Sequence, residues 1–215
     1  MKEYKKLLLS NKAWASERLE VDEHYFDDLS KDQNPLFLWI GCADSRVPAE
    51  EITHADPGEI FVHRNVANMV VHTDMNLLSV LQYAVEVLKI RHIIVCGHYN
   101  CGGVKAAMTN KDFGLINKWL RNIKEVYEKH YDELHKIKDE QSRFNALVEL
   151  NVKEQIQNLA KTTIVQKAWK NSQLPHLHGW VFDIHKGEIK EVVNISAGEW
   201  ESPVFKYEFE YMKKA

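Results

Sequence analysis

Two stretches of the chain, LFLWIGCADSR at residues 36–46 and HIIVCGHYNCGG at residues 92–103, decide its fold. Each contains a run of apolar residues, at 36–40 or 93–96, that ends at a glycine, Gly41 or Gly97, and is followed by polar residues. Continuous apolar runs of this length are typical of strands that are buried on both faces of a parallel sheet. We therefore predict two buried parallel strands that deliver their polar loops to the same edge of one sheet.

The segments around these strands alternate between strand and helix patterns. Residues 59–63 predict a further strand, and residues 74–89 predict a helix that is capped by Asp74. Residues 1–31 are polar with scattered leucines and aromatic residues, which predicts an N-terminal helical arm. This alternation predicts an α/β fold with a central, mainly parallel β-sheet flanked by helices.

The second half of the chain completes the predicted fold. Residues 114–171 have the apolar spacing of a helical stretch, and residues 178–185 and 189–193 predict a late β pair. We expect the tail after Gly198 to be helical in part. We predict a single domain over residues 1–215, with the arm of residues 1–31 packing on a partner subunit.

Composition and charge exclude several classes of protein. A hydrophobic share of 45% and a charged share of 27% are ordinary for a globular protein. The net charge of −3 gives no reason to expect nucleic acid as a partner. The apolar runs are far shorter than the roughly 18 residues of a membrane span. Three cysteines cannot form a disulfide framework, and no signal peptide is recognisable, so we expect a cytoplasmic protein.

The loops after the two buried strands carry two cysteines and a histidine that we predict to bind a metal. Cys42 follows the first strand, and His98 and Cys101 follow the second. Two thiolates and one imidazole form a ligand set that zinc prefers, and three protein ligands leave a fourth position for water. We predict one zinc ion per chain. Cys96 lies within the second strand, where a cysteine is usually an inert small hydrophobic residue.

Each of these features also has a simpler interpretation. An isolated cysteine or the spacing of His98 and Cys101 alone is a weak signal, and the glycines of residues 97–103 also suit a phosphate-binding turn. However, the sequence contains neither a dinucleotide fingerprint nor a P-loop. The convergence of all three ligands at two strand ends favours the metal site.

Asp44 and Arg46 lie next to the predicted ligand Cys42. They form either a surface ion pair of little energetic value or a carboxylate that the guanidinium holds beside the metal-bound water. In the second case Asp44 accepts the hydrogen bond of that water and orients it. An unrestrained Asp44 would instead serve as a fourth zinc ligand and close the site.

Several motifs together resemble the signature blocks of the β-class carbonic anhydrases. They are CADSR at 42–46, HRNVAN at 63–68, GHYNCGG at 97–103, LIN at 115–117, ELNV at 149–152 and HGW at 178–180. The resemblance implies zinc held by Cys42, His98 and Cys101, with the Asp44–Arg46 pair beside it. It implies reversible hydration of carbon dioxide to bicarbonate and a proton.

The resemblance also implies a substrate pocket and an oligomer. By position, Gln33 corresponds to an amide that hydrogen-bonds substrate, and Gly102 to a loop glycine whose backbone faces it. Phe61 and Tyr83 correspond to aromatic pocket residues that the neighbouring subunit supplies in the family. For both aromatic residues a simple packing role is the alternative. Members of the family are homodimers or homotetramers, which suits an N-terminal arm.

A mostly bacterial subset of the family is regulated by bicarbonate at a non-catalytic site. Trp39 and Arg64 match that site, whereas its tyrosine corresponds to Phe182 here. The missing hydroxyl removes one hydrogen bond, worth about 1 kcal/mol. We therefore expect a regulatory site at Trp39, Arg64 and Phe182 in which a pH switch persists and bicarbonate inhibition is weakened.

Two other functions remain compatible with the same residues. A hydrolase acting on carbonyl sulfide or carbon disulfide would use the same zinc ligands. A non-catalytic zinc-binding domain would use Asp44 as a permanent fourth ligand. Arg46 argues against the second alternative, because it offers Asp44 another partner.

Overall fold

The computed structural model describes residues 2–209, in which helices surround a five-stranded sheet. The strands are β1 (Phe37–Cys42), β2 (Ile60–Asn65), β3 (His92–His98), β4 (His176–Asp183) and β5 (Glu188–Ile195). Their order is β2-β1-β3-β4-β5. The first four strands are parallel, and β5 pairs with β4 in the antiparallel sense. This confirms the predicted fold, a mainly parallel sheet flanked by helices.

The helices fill most of the remaining chain. In chain order they are α1 (Glu3–Val21), α2 (Tyr25–Leu29), α3 (Ala49–Thr53), α4 (Met75–Gln82), α5 (Gly102–Ala107), α6 (Asn117–Lys129), α7 (Tyr131–His135), α8 (Glu140–Ala160) and α9 (Thr163–Ser172). The predicted helix at 74–89 is an α-helix only as far as Gln82 and continues as a π-helical turn, Tyr83–Val87. None of these helices is long and apolar enough to cross a membrane.

The expectation of a partly helical tail is wrong for residues 199–209, which contain no helix. Two local features explain the difference. Pro203 has no N–H to donate to a helical hydrogen bond. The hydroxyl of Ser202 accepts hydrogen bonds from the backbone N–H groups of Val204 and Phe205, which takes up donors that a helix would use. Residues 210–215 of the expected tail lie outside the described residues.

The chain divides into two compact units, one up to Asn34 and one from Pro35 onward. In the first unit, Trp14 packs edge to face against Phe26, with ring centroids 5.6 Å apart. No residue of α1 is buried, and Leu7 and Leu8 are largely exposed. The single domain over residues 1–215 and the packing of the arm on a partner both stay predictions.

The close packing of α8 on the sheet positions the loop that follows β3. A side chain at Gly97 would begin 2.7 Å from Val152 Cγ2, and one at Gly179 would begin 2.9 Å from Val152 Cγ1. These two glycines therefore let the helix approach β3 and β4 closely. In the sheet, β2 lies on one side of β1, and the next strand in the chain, β3, lies on the other side of β1. Ligands of open α/β sheets bind at such a switch point, beyond the carboxyl ends of the strands.

Candidate metal centre

The three predicted metal ligands meet at this switch point. Cys42 ends β1, His98 ends β3, and Cys101 directly precedes α5. Their ligand atoms all lie within 4.8 Å of one another, and the two sulfurs are 3.9 Å apart. Asn100 has a left-handed backbone, with φ of 60°, which turns the chain so that Cys101 returns to His98. All three ligands are buried.

The histidine of the cluster is oriented for metal binding. His98 Nδ1 lies 2.9 Å from the carbonyl oxygen of Tyr99. A carbonyl only accepts hydrogen bonds, so Nδ1 carries the hydrogen and Nε2 is the nitrogen that faces the sulfurs. Nε2 is buried and has no hydrogen-bond partner among residues 2–209. Buried polar atoms are rarely left unpaired, and a metal ion would provide the missing partner.

The electrostatics of the cluster also suit a cation. The thiol of Cys101 hydrogen-bonds to Cys42, which lowers the pKa of Cys42 and raises that of Cys101. The backbone N–H groups of Asp44 and Ala67 lower the pKa of Cys42 further. Burial disfavours a charged His98, but the Cys42 sulfur, the Tyr99 carbonyl and the Asp44 carboxylate together raise the pKa of His98. A buried position that attracts positive charge between two sulfurs and an imidazole fits a zinc ion.

Asp44 is held beside the cluster by Arg46. The carboxylate is paired in a bidentate manner, with Oδ1 2.9 Å from Arg46 Nε and Oδ2 2.7 Å from a terminal guanidinium nitrogen. The backbone N–H of Arg46 also donates to Oδ1, at 3.0 Å. These hydrogen bonds hold the pKa of Asp44 well below its usual range. The Oδ2 atom lies 3.7 Å from His98 Nε2 and so faces the metal position.

Arg64, predicted for the regulatory site, contacts the loop that carries Asp44. Its Nε atom donates to the Cys42 carbonyl at 2.9 Å, and a terminal nitrogen donates to the Asp44 carbonyl. Trp39 is buried, and its indole fills the space that a side chain at Gly41 would occupy. Phe182 is buried on β4, where it pairs with His98 in the register of the sheet.

The predicted substrate residues fall in different places. Phe61 and Tyr83 contact each other, with ring centroids 5.8 Å apart. The β2 residue that pairs with Cys42 lies four positions after Phe61. Four residues of a strand span roughly 13 Å, so Phe61 is distant from Cys42 of the same chain. Gly102 begins α5, and among the described residues no atom outside its chain neighbours and its own helix lies within 4 Å of where its side chain would start. Gln33 belongs to the N-terminal unit.

Glu149 was assigned no role from the sequence, but it forms hydrogen bonds that stabilise the loop after β3. One of its carboxylate oxygens accepts from the Tyr99 hydroxyl at 2.6 Å and from Lys190 Nζ at 2.7 Å. The contact joins the loop after β3 to α8 and β5. Cys96, predicted to be inert, is buried in β3, and burial raises the pKa of its thiol.

Comparisons with known proteins agree with this geometry. Residues 37–189 match the family model described as carbonic anhydrase. The chain is 50% identical over 187 residues to a carbonic anhydrase from Emericella nidulans, covering 87% of this chain and 82% of that protein.

Two solved structures have closely similar folds. A tetrameric β-carbonic anhydrase from the filamentous ascomycete Sordaria macrospora matches with a TM-score of 0.87 and 39% identity, covering 91% of this chain and 100% of the other. A Coccomyxa β-carbonic anhydrase in complex with acetazolamide matches with a TM-score of 0.87 and 40% identity, covering 92% of this chain and 90% of the other.

The chain therefore belongs to the β-class carbonic anhydrases, a family of enzymes of the lyase class. A bacterial origin, which the resemblance to a mostly bacterial subset suggested, is not confirmed, because the similar proteins include fungal enzymes.

Proposed function

We propose that this protein catalyses the zinc-dependent reversible hydration of carbon dioxide to bicarbonate and a proton. The observation that carries the proposal is the convergence of Cys42, His98 and Cys101 around an unpaired imidazole nitrogen, beside a carboxylate held by Arg46. The fold and the family support the same reaction.

Cys42, His98 and Cys101 would hold one zinc ion per chain. When bound, zinc supplies a Lewis acid and a water of lowered pKa, which makes a nucleophile available at neutral pH. The carbonyl of Tyr99 fixes the tautomer of His98 so that Nε2 keeps its lone pair for the metal.

Asp44 would orient the attacking water. Arg46 keeps this carboxylate ionised, so both oxygens act only as hydrogen-bond acceptors. A water that donates to Oδ2 directs a lone pair away from the carboxylate and toward the bound carbon dioxide. The bidentate contact also keeps Asp44 from turning toward His98 and becoming a fourth ligand.

We propose that Gln33 and the backbone at Gly102 hydrogen-bond the carboxylate that forms as the water adds to carbon dioxide. Phe61 and Tyr83 would line the pocket of a neighbouring subunit, since the strand register separates Phe61 from its own Cys42. The tetrameric relative supports a homo-oligomer, either a dimer or a tetramer, in which the helical arm of residues 1–31 packs on a partner. A cytoplasmic location remains part of this proposal.

We further propose that bicarbonate binds weakly at Trp39, Arg64 and Phe182. An anion at this position would compete with the carbonyl oxygens of Cys42 and Asp44 for the Arg64 guanidinium. Its binding would thereby loosen the loop that carries Asp44 and produce inhibition. The Phe182→Tyr variant should be inhibited at lower bicarbonate concentrations than the unmodified protein, and equal inhibition of the two would refute this assignment.

The decisive experiment is stopped-flow measurement of carbon dioxide hydration by the zinc-loaded protein from mildly acidic to alkaline pH. We expect rapid hydration that rises with pH. The Cys101→Ser variant should lose zinc and activity, whereas Cys96→Ser, which changes the cysteine outside the cluster, should retain both. A zinc-loaded protein without hydration at any pH would refute the proposal, and turnover of carbonyl sulfide or carbon disulfide instead would identify the alternative hydrolase.

A further inference from the structure

The loop of residues 65–70 is held by hydrogen bonds along its length, although it supplies no metal ligand. The Asn65 side chain closes the loop, since its Oδ1 and Nδ2 atoms pair with the N–H and carbonyl of Met69 at 2.7 and 2.8 Å. The Asn65 carbonyl accepts from the N–H of Ala43 at 2.8 Å. The Val66 carbonyl accepts from the indole of Trp119, also at 2.8 Å.

Three amide side chains on one face of α8 complete this set of contacts. Asn151 Nδ2 donates to the carbonyl of Ala67 at 3.2 Å, and Gln155 Oε1 accepts from the N–H of Val70 at 2.8 Å. Gln155 Nε2 donates to Asn151 Oδ1 at 3.1 Å, and Asn158 Nδ2 donates to the Val70 carbonyl at 3.2 Å. We call these three residues the amide ladder. Asn151 and Gln155 are almost completely buried.

The amide ladder forms hydrogen bonds with a loop whose backbone conformation is unfavourable on its own. Ala67 and Asn68 have left-handed φ angles of 64° and 49°, a conformation that asparagine tolerates but that is disfavoured for alanine. Such conformations persist where the surrounding structure enforces them, and they cluster at functional sites. Here the enforced conformation places Ala67 against the metal-binding loop, because a side chain at Gly103 would begin 3.2 Å from Ala67 Cβ.

The loop of residues 65–70 thus contacts both loops that carry the predicted ligands. Its Asn65 carbonyl accepts from the N–H of Ala43, the residue after Cys42. Its Ala67 lies against Gly103, which follows Cys101 by two residues. The position of both contacts depends on the hydrogen bonds from α8.

We propose that the amide ladder of Asn151, Gln155 and Asn158 positions the metal centre by holding the loop of residues 65–70 against both ligand-bearing loops. This inference rests on the proposed zinc centre. The ladder touches neither metal nor substrate, so its residues are positioning residues. Contacts that orient metal ligands from outside the coordination sphere typically change metal affinity by 10–100-fold when they are removed.

The test compares zinc and cobalt binding by full-length variants. In Asn151→Leu, a side chain of similar size replaces the donor to Ala67, and in Gln155→Met the contact with Val70 is lost while the Asn151 donor remains. The control is Gln157→Met on the same helix, which removes an amide contact to Trp200 instead. Chelator competition measures zinc affinity, the absorption of the cobalt-substituted protein reports the cobalt–sulfur bond, and thermal unfolding monitors stability.

We expect a 10–100-fold loss of zinc affinity and a shifted cobalt–sulfur charge-transfer band in Asn151→Leu. Smaller changes of the same kind are expected in Gln155→Met, and none in Gln157→Met. Equal zinc affinity and an unchanged cobalt spectrum in a folded Asn151→Leu protein would overturn the proposal, even if its unfolding temperature fell. If Asn151→Leu does not fold, the same result in Gln155→Met would overturn it. An unmodified protein that binds no zinc would instead defeat the proposed function.

Discussion

Replacement of Arg46 by alanine tests whether the centre is catalytic or structural. The substitution removes the bidentate contact at 2.9 and 2.7 Å but leaves the backbone N–H of residue 46 on Asp44 Oδ1. Asp44 therefore keeps one anchor and gains freedom to rotate toward His98 Nε2, which is 3.7 Å away. We expect zinc to stay bound and carbon dioxide hydration to slow by about 10–100-fold, the usual effect of removing a partner that orients a metal site.

The expected effect on folding is much smaller than the effect on activity. The side chain of Arg46 is 54% exposed, so solvent screens the pair and its net contribution to stability is small. We therefore expect the unfolding temperature to change little. Removing the guanidinium raises the pKa of Asp44 only toward about 3.9, so the carboxylate stays ionised at neutral pH. The loss of rate should therefore come from the changed position of the carboxylate and not from its protonation.

The assay is stopped-flow hydration at matched zinc content, accompanied by thermal unfolding. Arg121→Ala is the matched control, because it removes a comparable arginine contact, to Glu125 on the surface of α6. The control should retain full activity. Unchanged hydration in zinc-loaded Arg46→Ala would refute the role assigned to Asp44 and would favour a non-catalytic zinc domain.

Three further predictions concern stability. Gly179→Ala would place a methyl group 2.5 Å from Val193 Cγ1, and overpacking of about 1–3 kcal/mol should lower the unfolding temperature by about 2–12 °C in calorimetry. Burial lowers the pKa of both His92 and His178, which lie 3.0 Å apart between ring nitrogens. Both are therefore neutral in the folded protein at neutral pH, so their contribution to the free energy of unfolding should be constant above about pH 6.5 and should fall as the pH drops below it. His178→Gln should flatten that fall in denaturant titrations, and an unchanged slope would contradict the assignment. Removal of zinc by a chelator should lower the unfolding temperature without abolishing a cooperative transition. Free zinc at 1,000-fold over its dissociation constant would contribute about 4.1 kcal/mol to the free energy of unfolding. A protein that is unfolded without zinc would contradict this prediction.

The sequence predicted the parts of the fold and site that depend on local chemistry. The apolar runs of β1 and β3 are continuous because both faces of a central parallel strand are buried, and this pattern is visible without a structure. Polar residues directly after such runs must lie at the carboxyl edge of the sheet. Cys42, His98 and Cys101 could therefore be placed together, and the adjacent Asp44 and Arg46 with them.

The contacts that hold the site could not be predicted in the same way. Ala67 adopts a left-handed conformation that alanine does not favour, so no local signal marks it. Its loop is held by Asn151 and Gln155, which are more than eighty residues away in the chain. The helical pattern of residues 114–171 indicated which positions are apolar, but it did not indicate that buried amides on α8 pair with a distant loop.

The position of the metal centre within the fold itself favours catalysis over a structural role. A structural zinc usually supplies folding energy that a small core cannot, and its four ligands close the coordination sphere. In this protein the core is formed by the sheet and α8, with side chains such as Leu38, Ile93 and Ile156 that are fully buried and independent of any metal. The ligands lie at the carboxyl edge of that sheet, and the nearest additional carboxylate is engaged by Arg46. Three predicted ligands at the edge of a core that is packed without them, with the carboxylate of Asp44 held by Arg46, form an arrangement that leaves a fourth position for water or substrate.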